Sequence, residues 1–313
     1  MVRSSSKTWV MMPDVAVRDE PEIHAHAREA IGRALAELCA RNLGDDDSPV
    51  GEAIRYSLLG EGKRMRGILF LCAFEAAGGQ GDASALAAAI EVVHAYSLVH
   101  DDLPCMDDDD VRRGRATVHR VFGVAAATAA GLAMVPLAAR SAAESARALG
   151  LDDAAVGAIV ADLMRASGAG GMIGGQLLDL EGEGRPLALA ELERIHRAKT
   201  GALITAAATL GGRASSASAE RLEALGQYGA AVGLAFQITD DILDVTATTD
   251  QLGKTAGRDL ALHKSTYPAL LGVEGAKGRA AALIDEGCRA LEAVGLLTPA
   301  LAQIARFSVE RTS

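Results

Sequence analysis

Residues 83–110 read ASALAAAIEVVHAYSLVHDDLPCMDDDD, a long apolar stretch that ends in a run of aspartates. From Ala83 to about Asp102 the stretch is rich in Ala, Leu, Ile and Val and has no helix breaker, which predicts a helix buried in a helical core. Carboxylates at the end of a buried helix are costly unless cations compensate their charge. The stretch therefore predicts both a helical fold and a cation site.

Pro104 interrupts the acidic run. In an unbroken helix, Asp101 and Asp107 would point to faces about 120° apart. Because a proline disfavours the helical conformation of the residue before it, we expect the helix to break near Leu103 and Asp107 to swing back toward Asp101. The last three aspartates of the run, residues 108–110, are interpreted as solvated.

A second acidic motif, TDDILD, occupies residues 239–244 of another apolar segment. On a helix, Asp240 and Asp244 are four residues apart, and Asp241 and Asp244 are three apart, so their like charges repel. Hard cations with oxygen ligands remove that conflict, and Mg²⁺ suits carboxylates combined with a substrate phosphate. Two such motifs in one chain predict a site where Mg²⁺ holds a polyanion.

Basic residues stand beside these acidic motifs. The segment GKRMR (residues 62–66) precedes an apolar helix, and RRGR (residues 112–115) follows the first aspartate run. Lys199, Lys254 and Lys264 are spaced around the second motif. Clusters of Lys and Arg bind phosphate groups directly. The pattern therefore predicts a second polyanion that is held without metal.

Composition limits the partners of the 313-residue chain. A net charge of −10 and only 3% aromatic residues argue against nucleic-acid binding, which needs a basic footprint and stacking platforms. The 50% apolar content excludes global disorder. The four cysteines form no C-x-x-C pair, and the first 20 residues lack the apolar segment of a secretion signal. We expect a cytoplasmic protein.

The rest of the chain predicts one all-α domain over residues 21–313, preceded by a flexible tail at residues 1–20. Segments of helical period follow one another, with neither sustained strand alternation nor a linker. The uncharged stretch Val121–Ala139 is long enough to span a bilayer but is mostly Ala and Gly, so we predict a helix buried in the core. No stable membrane insertion is expected.

The ordered motifs resemble those of the short-chain trans-polyprenyl diphosphate synthases, most of all the bacterial farnesyl type. The blocks that carry the resemblance are GKRMR, DDLPCMDDDDVRRGRATVH, GGQLLDL, KTGALI, FQITDDILDVT, LGK and HKSTYPALLG. The resemblance implies a helical bundle around a deep central cavity. It also implies that an allylic diphosphate (dimethylallyl or geranyl) ionises, condenses with isopentenyl diphosphate and loses a proton, releasing diphosphate.

The resemblance also implies roles for individual residues. Three Mg²⁺ ions on the allylic diphosphate would be held by Asp101, Asp102, Asp107, Asp240, Asp241 and Asp244. The diphosphate would be assisted by Arg112, Lys199, Lys254 and Lys264. Isopentenyl diphosphate would be bound without metal by Lys63, Arg66, His94 and Arg113. The carbocation would face Gln237 and the backbone carbonyls near Lys199 and Thr200.

Two positions depart from the family pattern. Gly67 stands where the family often has proline, and Leu132 stands where it usually has aspartate after a glycine. Both lie outside the residues to which the resemblance assigns a role, and they leave the local helix packing open.

Product length is predicted from Tyr96, five residues before Asp101 and about 7.5 Å back along the helix. A ring there would act as a floor for the growing chain. In the family, an aromatic at this place and the longer acidic motif with Pro104 and Cys105 accompany short products. We predict a C15 product, with C20 and then C10 as alternatives.

Other functions and the oligomeric state complete the expectations. A terpene cyclase would need an aromatic-lined cavity, and the chain has one Trp, four Tyr and five Phe. A weakly active partner subunit and an Asp-rich calcium-binding scaffold are further alternatives, disfavoured by the intact acidic and basic clusters. The resemblance implies a homodimer, for which the Ala-rich Val121–Ala139 helix would suit a close interface.

Overall fold

The computed structural model describes residues 22–246 and 264–311. Within them lie thirteen α-helices, one π-helical turn and one two-stranded hairpin. The α-helices are α1 (Glu22–Leu43), α2 (Pro49–Leu58), α3 (Met65–Ala76), α4 (Ser84–Asp101), α5 (Val118–Phe122), α6 (Val124–Ala148), α7 (Asp153–Ser167), α8 (Met172–Gly182), α9 (Leu189–His196), α10 (Ala202–Ala214), α11 (Ala219–Thr246), α12 (Tyr267–Ala293) and α13 (Pro299–Glu310). The predicted all-α bundle is confirmed. The predicted tail at residues 1–20 and Lys254 lie outside the described residues.

Several helices begin where the sequence provides a capping side chain. Ser48 accepts a hydrogen bond from the Gly51 amide before α2, and Asp152 accepts one from the Ala155 amide before α7. Thr298 caps α13 in the same way. These side chains satisfy amides that have no partner within the helix, so they fix where the helix starts.

Helix α4 lies at the centre of the bundle and carries the first acidic motif at its end. Its residues from Leu86 to Val93 are all buried, and it packs against α1, α3 and α6. Close packing with α6 depends on Gly131, because a Cβ atom there would lie 2.1 Å from His100 Nε2. The second acidic motif is carried by α11, which packs between α10 and α12.

Two local features differ from the sequence prediction. A hairpin of β1 (Val111–Arg112) and β2 (Arg115–Ala116) follows the aspartate run, although strands this short leave no alternation to detect. The helix expected without interruption over residues 191–210 is divided by a π-helical turn at Arg197–Gly201. Single π-turns often occur at functional sites, and this one carries Lys199 and Thr200.

Two segments are long and apolar enough to cross a bilayer by length and composition, Val124–Ala148 and Asp153–Gly182. The core helices of soluble proteins pass the same test, and here α6 packs against α4 and α7 while α7 packs against α10. We interpret both as helices of the bundle. The expectation of complete burial is too strong for α6, whose outer face exposes Val124 and Leu132, the latter by 64%.

Candidate active site

The first acidic motif folds back on itself. Helix α4 ends at Asp101, and the following turn brings the Asp107 amide to the Asp101 carbonyl, where it donates a hydrogen bond of 2.8 Å. This is the break predicted from Pro104, and it places Asp107 beside the helix end. Asp101, Asp102 and Asp107 therefore share one turn, and each of the last two raises the pKa of Asp101.

Burial makes the carboxylates of this motif reluctant to ionise. It raises the pKa of Asp101 to about 6, although the charge of Lys199 acts in the opposite direction. It also raises the pKa of Asp102 to about 6, even though Arg112 donates a 2.5 Å hydrogen bond to Asp102 Oδ1. At both residues burial raises the pKa more than the nearby cations lower it. A further cation bound at this turn would therefore stabilise the ionised carboxylates.

The second acidic motif is satisfied by protein groups. Arg311, from the chain end, donates a 2.5 Å hydrogen bond to Asp240 Oδ1. Asp241 Oδ2 accepts from the Tyr267 amide at 3.0 Å and lies 3.3 Å from His196 Nε2. The sequence placed Asp240, Asp241 and Asp244 on one side of a helix. In the structure Asp240 and Asp241 have different partners, and Asp244 is buried.

Two of the predicted lysines meet on one carboxylate. Lys199 Nζ lies 2.6 Å and Lys264 Nζ 3.2 Å from Asp179 Oδ2. Burial opposes the charge of Lys264, but Asp179 and other acidic neighbours, Asp107 among them, raise its pKa to about 12. The Lys264 ammonium is thus held charged at the site, and its charge interacts with Asp107 of the first acidic motif.

The π-helical turn connects the two acidic motifs. Lys199 acts electrostatically on Asp101, and its neighbour Thr200 donates a 2.9 Å hydrogen bond to Gln237 Oε1. Gln237 lies one turn before Asp241 and donates to its carboxylate at 3.5 Å. The predicted association of Lys199, Thr200 and Gln237 is therefore present in the structure.

A basic region lies between α3, α4 and the hairpin. Arg66 Nε and His94 Nδ1 are buried and have no hydrogen-bond partner within residues 22–246 and 264–311. Burial lowers the pKa of His94 well below its usual value, and the charges of Arg66 and Arg113 lower it further, so His94 is neutral at pH 7. Lys63 is exposed and lies 5.8 Å from the centre of the Phe307 ring. Buried polar atoms without partners need a ligand or water.

A cavity of about 80 Å³ opens into this region. His94, Glu91 and Asp102 line it from α4, and Arg112 and Arg113 line it from the hairpin. The negative charge of Asp240 raises the pKa of Arg66, so the second acidic motif interacts electrostatically with the basic region. Acidic and basic groups predicted from separate stretches of sequence therefore surround one part of the bundle.

Tyr96 occupies a buried position below the first acidic motif. Its ring contacts the His100 ring edge to face, with ring centroids 4.9 Å apart. Burial raises the pKa of the Tyr96 hydroxyl, and the negative charge of Asp101 raises it further. His100 Nε2 lies 3.2 Å from the Thr128 carbonyl oxygen of α6. The ring is thus braced by α4 and α6, although it does not line the 80 Å³ cavity.

The donor set fits a divalent cation. Among the described residues, no three carboxylate, imidazole or thiol groups are gathered closely enough to form a complete metal cage. Mg²⁺ is usually bound by one or two carboxylates with waters and substrate phosphate, so a complete cage is not required. The carboxylates of half-buried Asp101 and buried Asp102 can supply oxygen ligands to such a cation.

Three of the polar groups that contact the site residues, Arg311, His196 and Glu91, had no clear signal in the sequence. Arg311 stands alone near the chain end without a motif, and His196 precedes the π-turn without a distinctive spacing. Glu91 lies one turn before His94 on the apolar helix, and this acidic residue in a buried segment was the only signal. Asp179, in the GGQLLDL block, contacts Lys199 and Lys264.

Comparisons with known proteins agree with this geometry. The polyprenyl synthetase family model matches residues 47–295. The chain is 44% identical to the farnesyl diphosphate synthase of Escherichia coli (strain K12), over 91% of this chain and 95% of the relative. It is 42% identical to geranylgeranyl pyrophosphate synthase 7, chloroplastic, of Arabidopsis thaliana, over 87% of this chain and 80% of the relative.

A solved structure gives the same result for the fold. The apo crystal structure of an FPP/GFPP synthase from Zymomonas mobilis superposes with a TM-score of 0.79 at 33% identity, covering 91% of this chain and 99% of that one. The matches thus cover 95% of the Escherichia coli synthase and 99% of the Zymomonas mobilis chain. The chain belongs to the polyprenyl synthetase family.

Proposed function

We propose that this enzyme, a trans-prenyltransferase, makes the C15 product farnesyl diphosphate from isopentenyl diphosphate and dimethylallyl or geranyl diphosphate. The observation that carries the proposal is the turn at the end of α4, where the carboxylates of half-buried Asp101 and buried Asp102, with Asp107, face a basic region. A site of this kind holds one diphosphate through metal and a second through Arg and Lys.

In this proposal the allylic diphosphate binds at the two acidic motifs. The metal ions that hold this diphosphate would be bound by Asp101, Asp102, Asp107, Asp240, Asp241 and Asp244. Enzymes of this family require a divalent metal; we propose three Mg²⁺ per site, which when bound neutralise the departing diphosphate. Arg112, Lys199, Lys254 and Lys264 add positive charge around the same group.

The basic region binds isopentenyl diphosphate and orients its double bond. Arg66, His94 and Arg113 contact the diphosphate, with Lys63 at the rim, and neutral His94 donates a hydrogen bond rather than a charge. The allylic C1–O bond breaks and its electron pair leaves with diphosphate, and the electron pair of the isopentenyl double bond forms the new C–C bond to C1. Thr200, Gln237 and the carbonyls of the π-turn face the positive charge, and the released diphosphate accepts the proton that is lost.

We also propose a cytoplasmic homodimer built from one helical domain over residues 21–313. The supporting observation for the dimer is the outer face of α6, which carries exposed Val124 and Leu132 beside small residues. Leu132, at a position where the family usually has aspartate, adds apolar area to that face. Light scattering is expected to give twice the 32.2 kDa chain mass, and a monomer at micromolar concentration would contradict the dimer.

A C20 product is the second candidate, because one relative is a geranylgeranyl pyrophosphate synthase at 42% identity. Tyr96 favours the shorter product, since its buried ring lies beneath the first acidic motif. The test incubates the protein with isopentenyl diphosphate, dimethylallyl diphosphate and Mg²⁺ and measures product length by chromatography. Farnesyl diphosphate supports the proposal. A cyclised hydrocarbon, or no condensation, would contradict it.

Replacing Tyr96 tests its proposed role as a floor for the growing chain. Tyr96→Ala removes the ring and is expected to shift the main product from C15 to C20 or longer. Tyr228→Phe is the control, because Tyr228 is also fully buried but donates its hydroxyl to the Leu301 carbonyl, between α11 and α13. A Tyr96→Ala enzyme that still makes only C15 would remove Tyr96 from this role.

A further inference from the structure

Glu91 is a buried carboxylate to which the proposed mechanism gives no part. It lies on α4 one turn before His94 and is only 2% exposed. Its Oε1 accepts a 2.8 Å hydrogen bond from the Gly67 amide in the first turn of α3. Burying a carboxylate costs free energy unless specific partners compensate it, and the Gly67 amide is such a partner.

The start of α3 lacks its own cap. Arg64 is the residue before the helix, has a left-handed conformation with φ of 49°, and makes no capping hydrogen bond with its side chain. Amides of the first turn need an acceptor from elsewhere. Glu91 supplies one from a neighbouring helix, and it binds the residue directly after Arg66.

The contact depends on the residue at position 67. A proline there would have no amide hydrogen to donate, whereas Gly67 does. A Cβ atom on this residue would lie 2.8 Å from Ile31 Cδ1 and 3.3 Å from Glu91 Cγ, so glycine also permits the close approach of α3 to α4. The departure from the family pattern at Gly67 therefore has a structural counterpart in Glu91.

Glu91 also interacts electrostatically with the arginines of the basic region. Among the neighbouring charges, that of Glu91 raises the pKa of Arg66 and of Arg113 the most. It also lines the 80 Å³ cavity together with His94 and Arg113. The hydrogen bond and the cavity thus join one carboxylate to the segment that carries Lys63 and Arg66.

We propose that Glu91 is a positioning residue for the metal-independent diphosphate site, acting through its hydrogen bond to the Gly67 amide. By capping α3 from α4, it fixes the turn that aims Lys63 and Arg66 at the diphosphate. This inference rests on the proposed function, since it assigns isopentenyl diphosphate to that site.

Two variants separate the hydrogen bond from the charge. Glu91→Asp keeps the charge but is one methylene too short to reach the Gly67 amide, whereas Glu91→Gln keeps an acceptor at the right distance and loses the charge. Binding of isopentenyl diphosphate is measured by calorimetry in excess EDTA, so that only the metal-independent site is read. We expect Glu91→Asp to bind about tenfold more weakly and Glu91→Gln within about threefold of the wild type.

A control and a second readout complete the test. Glu75→Gln makes the same charge change at an exposed position on α3 and should bind as the wild type does. Hydrogen exchange of the Gly67 amide, measured without ligand, should accelerate in Glu91→Asp and stay slow in Glu91→Gln. In steady state, Glu91→Asp should raise KM for isopentenyl diphosphate and leave KM for the allylic substrate within about twofold.

The outcomes divide clearly. Wild-type binding and exchange in Glu91→Asp would overturn the positioning role. Weakening in Glu91→Gln as large as in Glu91→Asp would also overturn it, because binding would then be lost although the acceptor for the Gly67 amide is kept. Either result would leave the proposed condensation intact if the wild type forms product. Failure of the wild type to bind isopentenyl diphosphate in EDTA would instead overturn the assignment of the site, and this inference with it.

Discussion

Asp101, at the end of α4, and Asp241, inside α11, belong to similar acidic motifs but have different surroundings. Burial raises the pKa of Asp101 to about 6, and no hydrogen bond from a cationic side chain to its carboxylate is found among the described residues. Asp241 is also buried, yet its oxygens lie within hydrogen-bonding distance of Tyr267 N, His196 Nε2 and Gln237 Nε2. The first motif needs a cation, whereas the second is already supported by the protein.

This difference suggests a division of labour. The end of α4 gains most from binding a metal, so it should dominate metal affinity. At α11, metal binding to Asp240 must compete with Arg311, while Asp241 secures the positions of α9 and α12. Similar acidic motifs can therefore serve ligand binding alone at one place and ligand binding together with helix assembly at another.

The largest expected effect belongs to the first motif. Asp101→Asn removes a ligand charge from the turn that needs cations, and turnover should fall by at least ~100-fold while the fold is retained. Asp108→Asn is the matched control, because Asp108 is exposed on the same turn and asparagine tolerates its positive φ of 49°. Steady-state rates and circular dichroism measure both. Near-normal turnover in Asp101→Asn would exclude this residue as a ligand.

The pH dependence of metal binding should also come from the first motif. With a pKa of about 6 for Asp101 and Asp102, only about a tenth of each ionises at pH 5, so apparent Mg²⁺ affinity should fall about tenfold per carboxylate between pH 7.5 and pH 5. Without metal the sign for stability is opposite. Raised folded-state values favour folding below about pH 4, and that contribution is lost as the pH rises through 6.

Thermal melts with and without Mg²⁺ at the two pH values measure this effect. Stabilisation by Mg²⁺ should be larger at pH 7.5, and Asp102→Asn should reduce the difference between the two pH values. An equal shift in Tm at both pH values would show that these carboxylates do not titrate with the metal.

The smallest effect is expected for the second motif and concerns stability. Asp241→Asn must present its NH₂ group to one of the donors around it, the Tyr267 amide or Gln237. Unfolding should become easier by about 1–3 kcal/mol. Asp285→Asn on the exposed face of α12 is the control and should leave the urea midpoint unchanged. An unaltered midpoint in Asp241→Asn would place this residue with the metal ligands alone.

Much of this arrangement followed from the sequence. The apolar run before Asp101 predicted a buried helix, and Pro104 predicted the turn that returns Asp107 to it. Capping residues such as Ser48 and Asp152 are local signals, so helix starts of this kind can be identified from sequence.

Long-range partners could not be predicted. Arg311 reaches Asp240 across 71 residues, and Asp241 meets Tyr267 across 26. Such contacts depend on how helices pack, which spacing along one helix does not encode. The π-turn at Lys199 likewise arises where α8 approaches the backbone, since a Cβ atom at Gly175 would lie 2.1 Å from the Lys199 nitrogen.

The central claim is that one diphosphate is held through metal and the other directly by basic residues. Calorimetry of the wild-type protein with each substrate alone, in Mg²⁺ and in EDTA, tests it most directly. We predict that geranyl diphosphate binds only with Mg²⁺, whereas isopentenyl diphosphate binds equally well in EDTA. Tight binding of geranyl diphosphate in EDTA, or a strict Mg²⁺ requirement for isopentenyl diphosphate, would contradict the claim.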